Sequence, residues 1–237
     1  MSDMHLHLEE HLESSDMLSD IVIGMSDGLT VPFALAAGLS GAVSGNVSLI
    51  WIAGIAEICA GSIAMGLGGY LAGKTEQDHY ASELKQEYWE LEHKRDIEID
   101  EVRKVFLEWG LSKRVAEEAT QEIIKDDDRW VEFMMKHELG LTKPDPKRAS
   151  RSAFNIGVSY VVGGLIPLTP YFFVDNALKG LELSAMITLV CLFVFGYFKS
   201  KMTGINPWIG GFKVMMIGAL AAGAAFGIAR LIEGGYA

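Results

Sequence analysis

The sequence has little cysteine: Cys59 and Cys191 are the two cysteines in 237 residues. Both lie in apolar stretches, and neither has a second cysteine or a histidine at the spacing of a metal-binding motif. A disulfide framework and a thiolate metal site are therefore not predicted. Both residues are expected to fill small packing spaces.

Basic residues are also few, with 20 Lys and Arg against 31 Asp and Glu and a formal net charge of −11. A nucleic-acid-binding protein needs a basic surface that neutralises phosphates. The charge balance therefore argues against nucleic acid as a partner. It favours cations instead.

Charge of either sign is nearly absent from most of the chain. Residues 75–151 carry 34 charged side chains and residues 1–20 carry six, whereas the other 140 positions carry 11. Half of all residues are hydrophobic, and the mean hydropathy is +0.24. This segregation excludes both a simple globular enzyme and a disordered chain. It predicts a membrane protein with one polar module.

The apolar stretches are long enough for five membrane-spanning helices of about 20 residues each. Residues 21–73 give two spans that turn near Ser44, Gly45 and Asn46, and the others lie at 152–174, 181–198 and 207–231. We therefore expect an all-α membrane protein with five transmembrane helices and a three-helix polar module between spans two and three. The expected divisions are a tail (1–20), spans one and two (21–74), the polar module (75–151) and spans three to five (152–237).

Lysine and arginine near the ends of the spans indicate the orientation. Lys199, Lys201, Lys143 and Lys147 flank the spans on one side, and Lys179 is the main basic residue on the other. Cytoplasmic loops carry the excess of basic residues, so the N-terminus and the polar module are predicted to be cytoplasmic. Five spans then place the C-terminus on the opposite side. No basic segment precedes the first apolar run, so a cleaved signal peptide is not expected.

The polar module reads as three helices. Few helix-breaking residues interrupt residues 75–105, a second helix is expected over 112–125, and Asp126 begins a third that continues to Glu138. Gly110 and Gly140 are expected to end helices.

Four glutamates of the first predicted helix form an acidic stripe. Glu87 and Glu90 are three residues apart, as are Glu98 and Glu101, and 11 residues separate the two pairs, so all four face one way on a continuous helix. Such carboxylates repel each other unless a cation lies among them. The alternative is an ordinary solvated helix face, on which Lys94 relieves the repulsion.

The third predicted helix adds two thioethers and a carboxylate in Met134, Met135 and Glu138. Methionine suits softer transition metals and carboxylate suits harder ones, so a mixed set fits a borderline ion such as ferrous iron. The two methionines could equally be core residues.

Glu90 and His93 form one E-x-x-H unit. Di-iron carboxylate bundles need two such units and two further glutamates. With Glu90 and His93 counted as the one unit, a di-iron oxidase is only weakly supported. His5, His7 and His11 could trap metal loosely, although a mobile polar tail is the simpler interpretation.

Ionisable residues inside the predicted spans point to a pathway. Glu57 lies near the middle of span two, and Asp27 lies about two turns into span one. A carboxylate within the bilayer usually lines a pathway or binds an ion, although Glu57 could be a protonated acid and Asp27 could be interfacial. Met65 follows two turns after Glu57. Together these residues suggest exchange of a proton for a divalent metal.

Three segments resemble the vacuolar iron transporter family. They are Asp20-Ile-Val-Ile-Gly-Met-Ser-Asp27-Gly-Leu-Thr-Val-Pro-Phe, then Ala56-Glu57 with Ser62-Ile-Ala-Met65-Gly, and Gly163-Gly-Leu-Ile-Pro-Leu-Thr-Pro170-Tyr. The resemblance covers about residues 18–234. It implies a five-span homodimer in the vacuolar membrane, with a lumenal C-terminus and a three-helix cytoplasmic metal-binding domain between spans two and three. Such a protein moves ferrous iron from the cytosol into the vacuole against protons.

The resemblance also implies residue roles. The family's cytoplasmic metal ligands correspond to Glu87, Glu90, Glu98, Glu101, Met134, Met135 and Glu138, and its pathway residues correspond to Asp27, Glu57 and Met65. The expected partners are a second copy of the chain, membrane lipid, protons and Fe2+, with Mn2+, Co2+ and Zn2+ as further candidate ions. On this basis we expect a secondary transporter rather than an enzyme. The alternatives are a membrane-anchored di-iron carboxylate oxidase and a metal-binding scaffold or channel without proton coupling.

Overall fold

The computed structural model describes residues 15–42 and 46–235, and this part of the chain is helical with no strand. Its eight α-helices are α1 (Ser15–Ala42), α2 (Val47–His93), α3 (Arg95–Glu108), α4 (Lys113–Ile123), α5 (Asp127–His137), α6 (Arg148–Leu168), α7 (Ala177–Met202) and α8 (Pro207–Gly235), with a 3₁₀ turn at Thr169–Phe172. His5, His7 and His11 lie outside the described residues. Because α1 begins at Ser15, residues 15–20 of the expected tail are helical.

Five helices are long and apolar enough to cross a membrane, judged by length and composition. They are α1, α2, α6 with its 3₁₀ turn, α7 and α8. The prediction of five apolar spans is confirmed at this level. Residues 43–45 of the expected first turn lie outside the described residues, and Asn46 follows them as an N-terminal cap that accepts a hydrogen bond from the Leu49 amide.

The chain divides into two compact units. One contains residues 1–70 and 150–237, and the other contains Leu71–Ala149. The first boundary falls inside α2, whose 47 residues exceed the roughly 20 needed for one span. Glu87 and Glu90 therefore belong to the polar part of α2, well beyond its apolar part.

In the first unit α1 packs against α7 and α8, which also pack against each other. Phe33 and Ala37 of α1 form a buried cluster with Ala222 of α8. A second cluster joins α1, α2 and the end of α6 around Ile50, Ile58 and Leu168. Asp20 is buried, and its carboxylate accepts hydrogen bonds from Ser152 (2.8 Å) and Asn155 (3.4 Å).

In the second unit α3, α4 and α5 pack on one another around a core that includes Leu91, Val102, Trp130 and Met134. Gly110 and Gly140 follow α3 and α5 with φ of 86° and 67°, a left-handed conformation that favours glycine. Both were expected to end helices, and both do.

The predicted continuous helix over 75–105 is wrong, because the chain bends at Lys94. The φ and ψ of this residue are −132° and 29°, outside the helical region, and α2 ends before it while α3 begins after it. The Lys94 amide still donates to the Glu90 carbonyl, and its own carbonyl accepts from Ile97. Backbone hydrogen bonds therefore continue on both sides of the bend. Because Lys94 is also not a helix-breaking residue type, nothing in the sequence marks this bend.

Candidate metal site and membrane pathway

The five glutamates predicted as metal ligands come from three helices of the second unit. Glu87 and Glu90 lie at the end of α2, Glu98 and Glu101 lie on α3, and Glu138 caps the C-terminus of α5. We call these five residues the acidic cluster. The bend at Lys94 removes the single straight stripe, yet the two pairs still act on each other electrostatically.

Two members of the acidic cluster are buried without adequate partners. Glu87 is 5% exposed and Glu98 is 2% exposed. The Oε2 atom of each is buried and receives no hydrogen bond from the described residues. Burying a polar atom without a partner is costly, and the cost is larger for a charge. A bound cation or a bound proton would compensate it.

Burial and crowding raise the pKa of these carboxyl groups. Desolvation, followed by the charge of Glu138 and other glutamates, raises the pKa of Glu87 to about 7. Desolvation, followed by the charges of Glu101 and Glu87, raises the pKa of Glu98 to about 7. The pKa of Glu138 is also raised, first by desolvation and then by Glu101 and Glu90. The cluster therefore binds protons near neutral pH when no other cation is present.

Met134 and Met135 are core residues of the second unit, at 0% and 1% exposure. Both belong to the buried cluster that contains Trp130 and Phe133. Glu138 donates its amide to the Met134 carbonyl, which holds the end of α5 in place. Both methionines therefore pack as core residues, as the alternative interpretation predicted. A thioether that also binds an ion would have to do so from the edge of this core.

Among the described residues, no three His, Cys, Asp or Glu side chains are arranged as a finished metal site. The acidic cluster instead gathers five carboxylates that repel one another. To share one ion, these side chains would have to rotate towards it.

Glu90 forms an ion pair with a lysine side chain. Its Oε1 accepts from the Lys94 ammonium at 2.8 Å and from the Gln86 amide at 3.4 Å. The hydrogen bond to Glu90 raises the pKa of Lys94, as do the charges of Glu90, Glu98 and Glu101 against a lowering by desolvation. Lys94 therefore faces the acidic cluster.

The histidine of the E-x-x-H unit has other contacts. His93 stacks on Trp89 at 4.5 Å between ring centroids, and its Nδ1 lies 2.8 Å from the Trp89 carbonyl. A second E-x-x-H unit is present at Glu76 and His79, so treating the first as single was wrong. Both units lie on α2, with the histidines 14 residues or about 21 Å apart, whereas a di-iron bundle takes its two units from different helices.

In the first unit Glu57 has one engaged and one free oxygen. The Tyr160 hydroxyl of α6 donates to Glu57 Oε1, while Glu57 Oε2 is buried and receives no hydrogen bond from the described residues. Two glycines permit this contact. A Cβ at Gly61 would lie 2.5 Å from the Tyr160 hydroxyl oxygen, and a Cβ at Gly28 would overlap the Tyr160 backbone.

Tyr160 is a site residue that the sequence reasoning missed. It is 2% exposed and links the α1 segment beside Asp27 to Glu57 of α2. Tyrosine is common in apolar helices, so its residue type carries no signal by itself. The only available clue was Gly61, one turn after Glu57, which leaves space for a large side chain.

The other two predicted pathway residues are half-buried. Asp27 precedes the Gly28 contact with Tyr160, whereas Met65 lies eight residues beyond Glu57 on α2, about 12 Å along the helix axis. Within one chain, Glu57 and Met65 therefore lie about two turns apart on α2.

Glu57 also lines an open groove of about 690 Å³ in the first unit. The other lining residues are mostly apolar and come from α1 and α8, among them Leu35, Gly38 and Ala225. Glu233, near the end of α8, is the second carboxylate of the lining. Because the rest of the lining is mostly apolar, an ion in this groove would find few ligands other than the two carboxylates.

The sequence is similar to those of known proteins. The model of the VIT family matches residues 18–230. The chain belongs to the VIT family. It is 49% identical over 229 residues to Vacuolar iron transporter 1 of Tulipa gesneriana, covering 96% of this chain and 92% of that protein. It is 47% identical to Vacuolar iron transporter 1 of Arabidopsis thaliana, covering 96% and 90%, and 38% identical to Protein CCC1 of Saccharomyces cerevisiae, covering 91% and 69%.

Family membership confirms the resemblance that the three sequence segments carried. The matched range includes both the acidic cluster and the Glu57 region. The relatives from Tulipa gesneriana and Arabidopsis thaliana are named as transporters, in agreement with the expectation that the chain is a transporter rather than an enzyme.

Proposed function

We propose that this member of the VIT family moves ferrous iron from the cytosol into the vacuole in exchange for protons. The observation that carries the proposal is the set of buried, unpartnered carboxylate oxygens at Glu57, Glu87 and Glu98. Oxygens of this kind gain most from a cation that replaces a proton. The names of the relatives supply the metal and the compartment.

The acidic cluster collects the metal on the cytoplasmic side. Glu87, Glu90, Glu98, Glu101 and Glu138 supply oxygens, and Met134 and Met135 supply thioethers from the adjoining core. Because the pKa values of Glu87 and Glu98 are raised to about 7, part of the cluster is protonated at cytosolic pH and exchanges those protons for metal. Mn2+, Co2+ and Zn2+ accept the same donor types and are further candidate substrates.

Asp27, Glu57 and Met65 then pass the ion through the membrane. Glu57 Oε2 receives it while Tyr160 holds Oε1, and lumenal acid protonates the carboxylate and releases the ion. Each metal that leaves Glu57 is replaced by a proton, so the return step carries protons to the cytosol. This cycle makes the chain a secondary antiporter.

A second copy of the chain completes the pathway. The groove lined by Glu57 is open, and an ion in it would meet lipid unless another surface covered the groove. Gly223 and Gly227 of α8 have no neighbour within 4 Å of an added Cβ, which leaves α8 a surface that another helix can approach closely. We therefore assign this groove to the interface of a homodimer.

Metal flux in proteoliposomes tests the proposal. The full-length protein is reconstituted with an acidic or a neutral interior, and Fe2+ uptake is followed with an internal chelating dye, with Mn2+, Co2+ and Zn2+ in parallel. Uptake is expected to depend on the pH gradient and to be lost in Glu57→Gln, which cannot exchange a proton for a metal. Metal binding by the acidic cluster of this variant in detergent should be unchanged.

Glu182→Gln is the matched control, because it also removes one carboxylate from a membrane helix, outside the proposed pathway. Gradient-independent uptake would favour a channel. Normal uptake by Glu57→Gln would remove that residue from the pathway. Oxygen consumption on addition of Fe2+ would favour the oxidase alternative.

A further inference from the structure

The ammonium group of Lys94 occupies the position from which a cation would bind Glu90. It lies 2.8 Å from Glu90 Oε1, at the bend where α2 ends and α3 begins. Its side chain also passes over the Trp89 ring, with Nζ 5.5 Å from the ring centroid. This ring contact keeps the amine on the side of the helix that carries Glu90.

The surroundings of Lys94 distinguish it from the other lysines of the second unit. Lys74 and Lys125 each pair with one carboxylate outside the acidic cluster, and Lys104 pairs with Glu108 while its charge also acts on one cluster member, Glu138. The charges of three cluster members, Glu90, Glu98 and Glu101, act on Lys94. The unpartnered Oε2 atom of Glu98 belongs to this same cluster. Lys94 therefore offsets one charge of a cluster that remains short of cations.

We propose that Lys94 is a tethered competitor of the metal at the acidic cluster. This inference rests on the proposed metal-collecting role of the cluster. When no metal is present, the ammonium neutralises Glu90 and limits the repulsion among the glutamates. When a divalent ion arrives, Glu90 turns to the ion and the ammonium moves into solvent on its flexible stem.

The consequence is a site of moderated affinity. A cluster of five glutamates without a competitor would hold a divalent ion strongly and release it slowly. An internal cation lowers the affinity and speeds dissociation, because it recaptures Glu90 as soon as the carboxylate separates from the metal. A collecting site that must pass its ion onward needs this property.

Two substitutions separate this role from a structural one. Lys94→Leu keeps an apolar side chain and removes the charge without adding a thioether, whereas Lys94→Arg keeps the charge. Lys125→Leu is the matched control, because Lys125 also forms an exposed pair with a nearby glutamate, Glu122, outside the acidic cluster. Each variant is made in the full-length protein and purified in detergent.

Binding of Co2+ and Mn2+ is measured by competition with a chromophoric chelator, and dissociation by stopped flow with excess EDTA. Lys94→Leu is expected to bind about threefold to tenfold more tightly than the wild type, mainly through slower dissociation. Lys94→Arg and Lys125→Leu should stay within about twofold of the wild type. Thermal melts without metal show whether each variant is folded.

Failure of the inference and failure of the proposed function give different results. Suppose that the wild type binds metal and the double variant Glu87→Gln with Glu98→Gln does not. If Lys94→Leu then binds no more tightly than Lys125→Leu, the competitor role is wrong and the metal site stands. Weaker binding by Lys94→Leu would also overturn the competitor role, since Lys94 would then support the site. If the wild type binds no metal, both proposals fall.

Discussion

At the scale of single residues, the contact between Tyr160 and Glu57 places the two oxygens of the Glu57 carboxylate in different environments. Oε1 is held by the tyrosine hydroxyl, and Oε2 is buried without a donor. A fixed carboxylate presents its free oxygen in one direction, so an approaching ion needs no reorganisation of that group. Tyr160 thus acts as a positioning residue for Glu57 in the proposed pathway.

Tyr160→Phe is expected to raise the KM for metal uptake about fivefold or more while changing the maximal rate less, because the ring still fits against Gly61 but Oε1 loses its donor. The measurement is initial uptake into proteoliposomes across a range of metal concentrations. Tyr171→Phe is the matched control. Tyr171 is a buried tyrosine of the same unit, whose hydroxyl lies 2.9 Å from Ser40 Oγ, and its variant should keep the wild-type KM. Equal KM changes in both variants would indicate general destabilisation.

At the scale of elements, the bend between α2 and α3 changes how the acidic cluster forms. On a straight helix the four glutamates would make a solvated row. In the folded protein, which has a helix break at Lys94, Glu87 and Glu98 are buried instead. Since burial is the first cause of their raised pKa values, the proton-binding behaviour of the cluster follows from tertiary packing.

This arrangement predicts a pH-dependent stability of the metal-free protein. The pKa of Glu87 and of Glu98 rises from 4.5 when unfolded to about 7 when folded, so the folded state binds more protons between these values. The free energy of unfolding should therefore fall as pH rises from about 4.5 to about 7, and then level off. Thermal melts of the full-length protein in detergent, followed by tryptophan fluorescence, measure this dependence.

The variant with Glu87→Gln and Glu98→Gln should lose most of this pH dependence, because glutamine does not titrate. The control pair is Glu117→Gln and Glu122→Gln on α4. Side-chain hydrogen bonds with Gln121 and Arg103 lower the pKa of Glu117, and one with Lys125 lowers the pKa of Glu122. Both groups therefore titrate below this pH range, and the decrease in the free energy of unfolding should persist in the control. A divalent metal added at about pH 8 should raise the melting temperature of the wild type and not that of the Glu87 and Glu98 variant.

At the scale of the whole molecule, the chain combines five apolar helices with a separate charged unit. The first unit contains the candidate spans, and the second contains the acidic cluster. If the basic residues beside the spans set the orientation, the second unit faces the cytosol and the segment before α7 faces the lumen. This orientation is a proposal with a direct test.

Single-cysteine labelling of intact vacuoles provides that test. In a background with Cys59→Ala and Cys191→Ala, the exposed positions are replaced as Lys125→Cys and Asp175→Cys. A membrane-impermeant maleimide should label position 125 in intact vacuoles and position 175 only after permeabilisation. The reverse pattern would invert the proposed direction of transport. Thr203→Cys, in the segment between α7 and α8, should follow position 125.

The sequence by itself determined the coarse organisation of this protein. Long stretches without charge require a nonpolar environment, so the five apolar helices follow from composition alone. Glu57 and Asp27 stood out because a carboxylate among apolar residues is costly, and Gly110 and Gly140 marked helix ends because of their conformational freedom. These are local properties, and local sequence is enough to predict them.

Tertiary structure decided what these residues contact. The bend at Lys94 has no breaking residue, the burial of Glu98 depends on contacts between helices distant in sequence, and Tyr160 reaches Glu57 across 103 residues of chain. Spacing along one helix could suggest that the glutamates share a face, but whether that face meets water or a packed neighbour depends on the other helices. The physical reason is that desolvation and hydrogen bonding depend on distance in space, which a periodic pattern along the sequence does not contain.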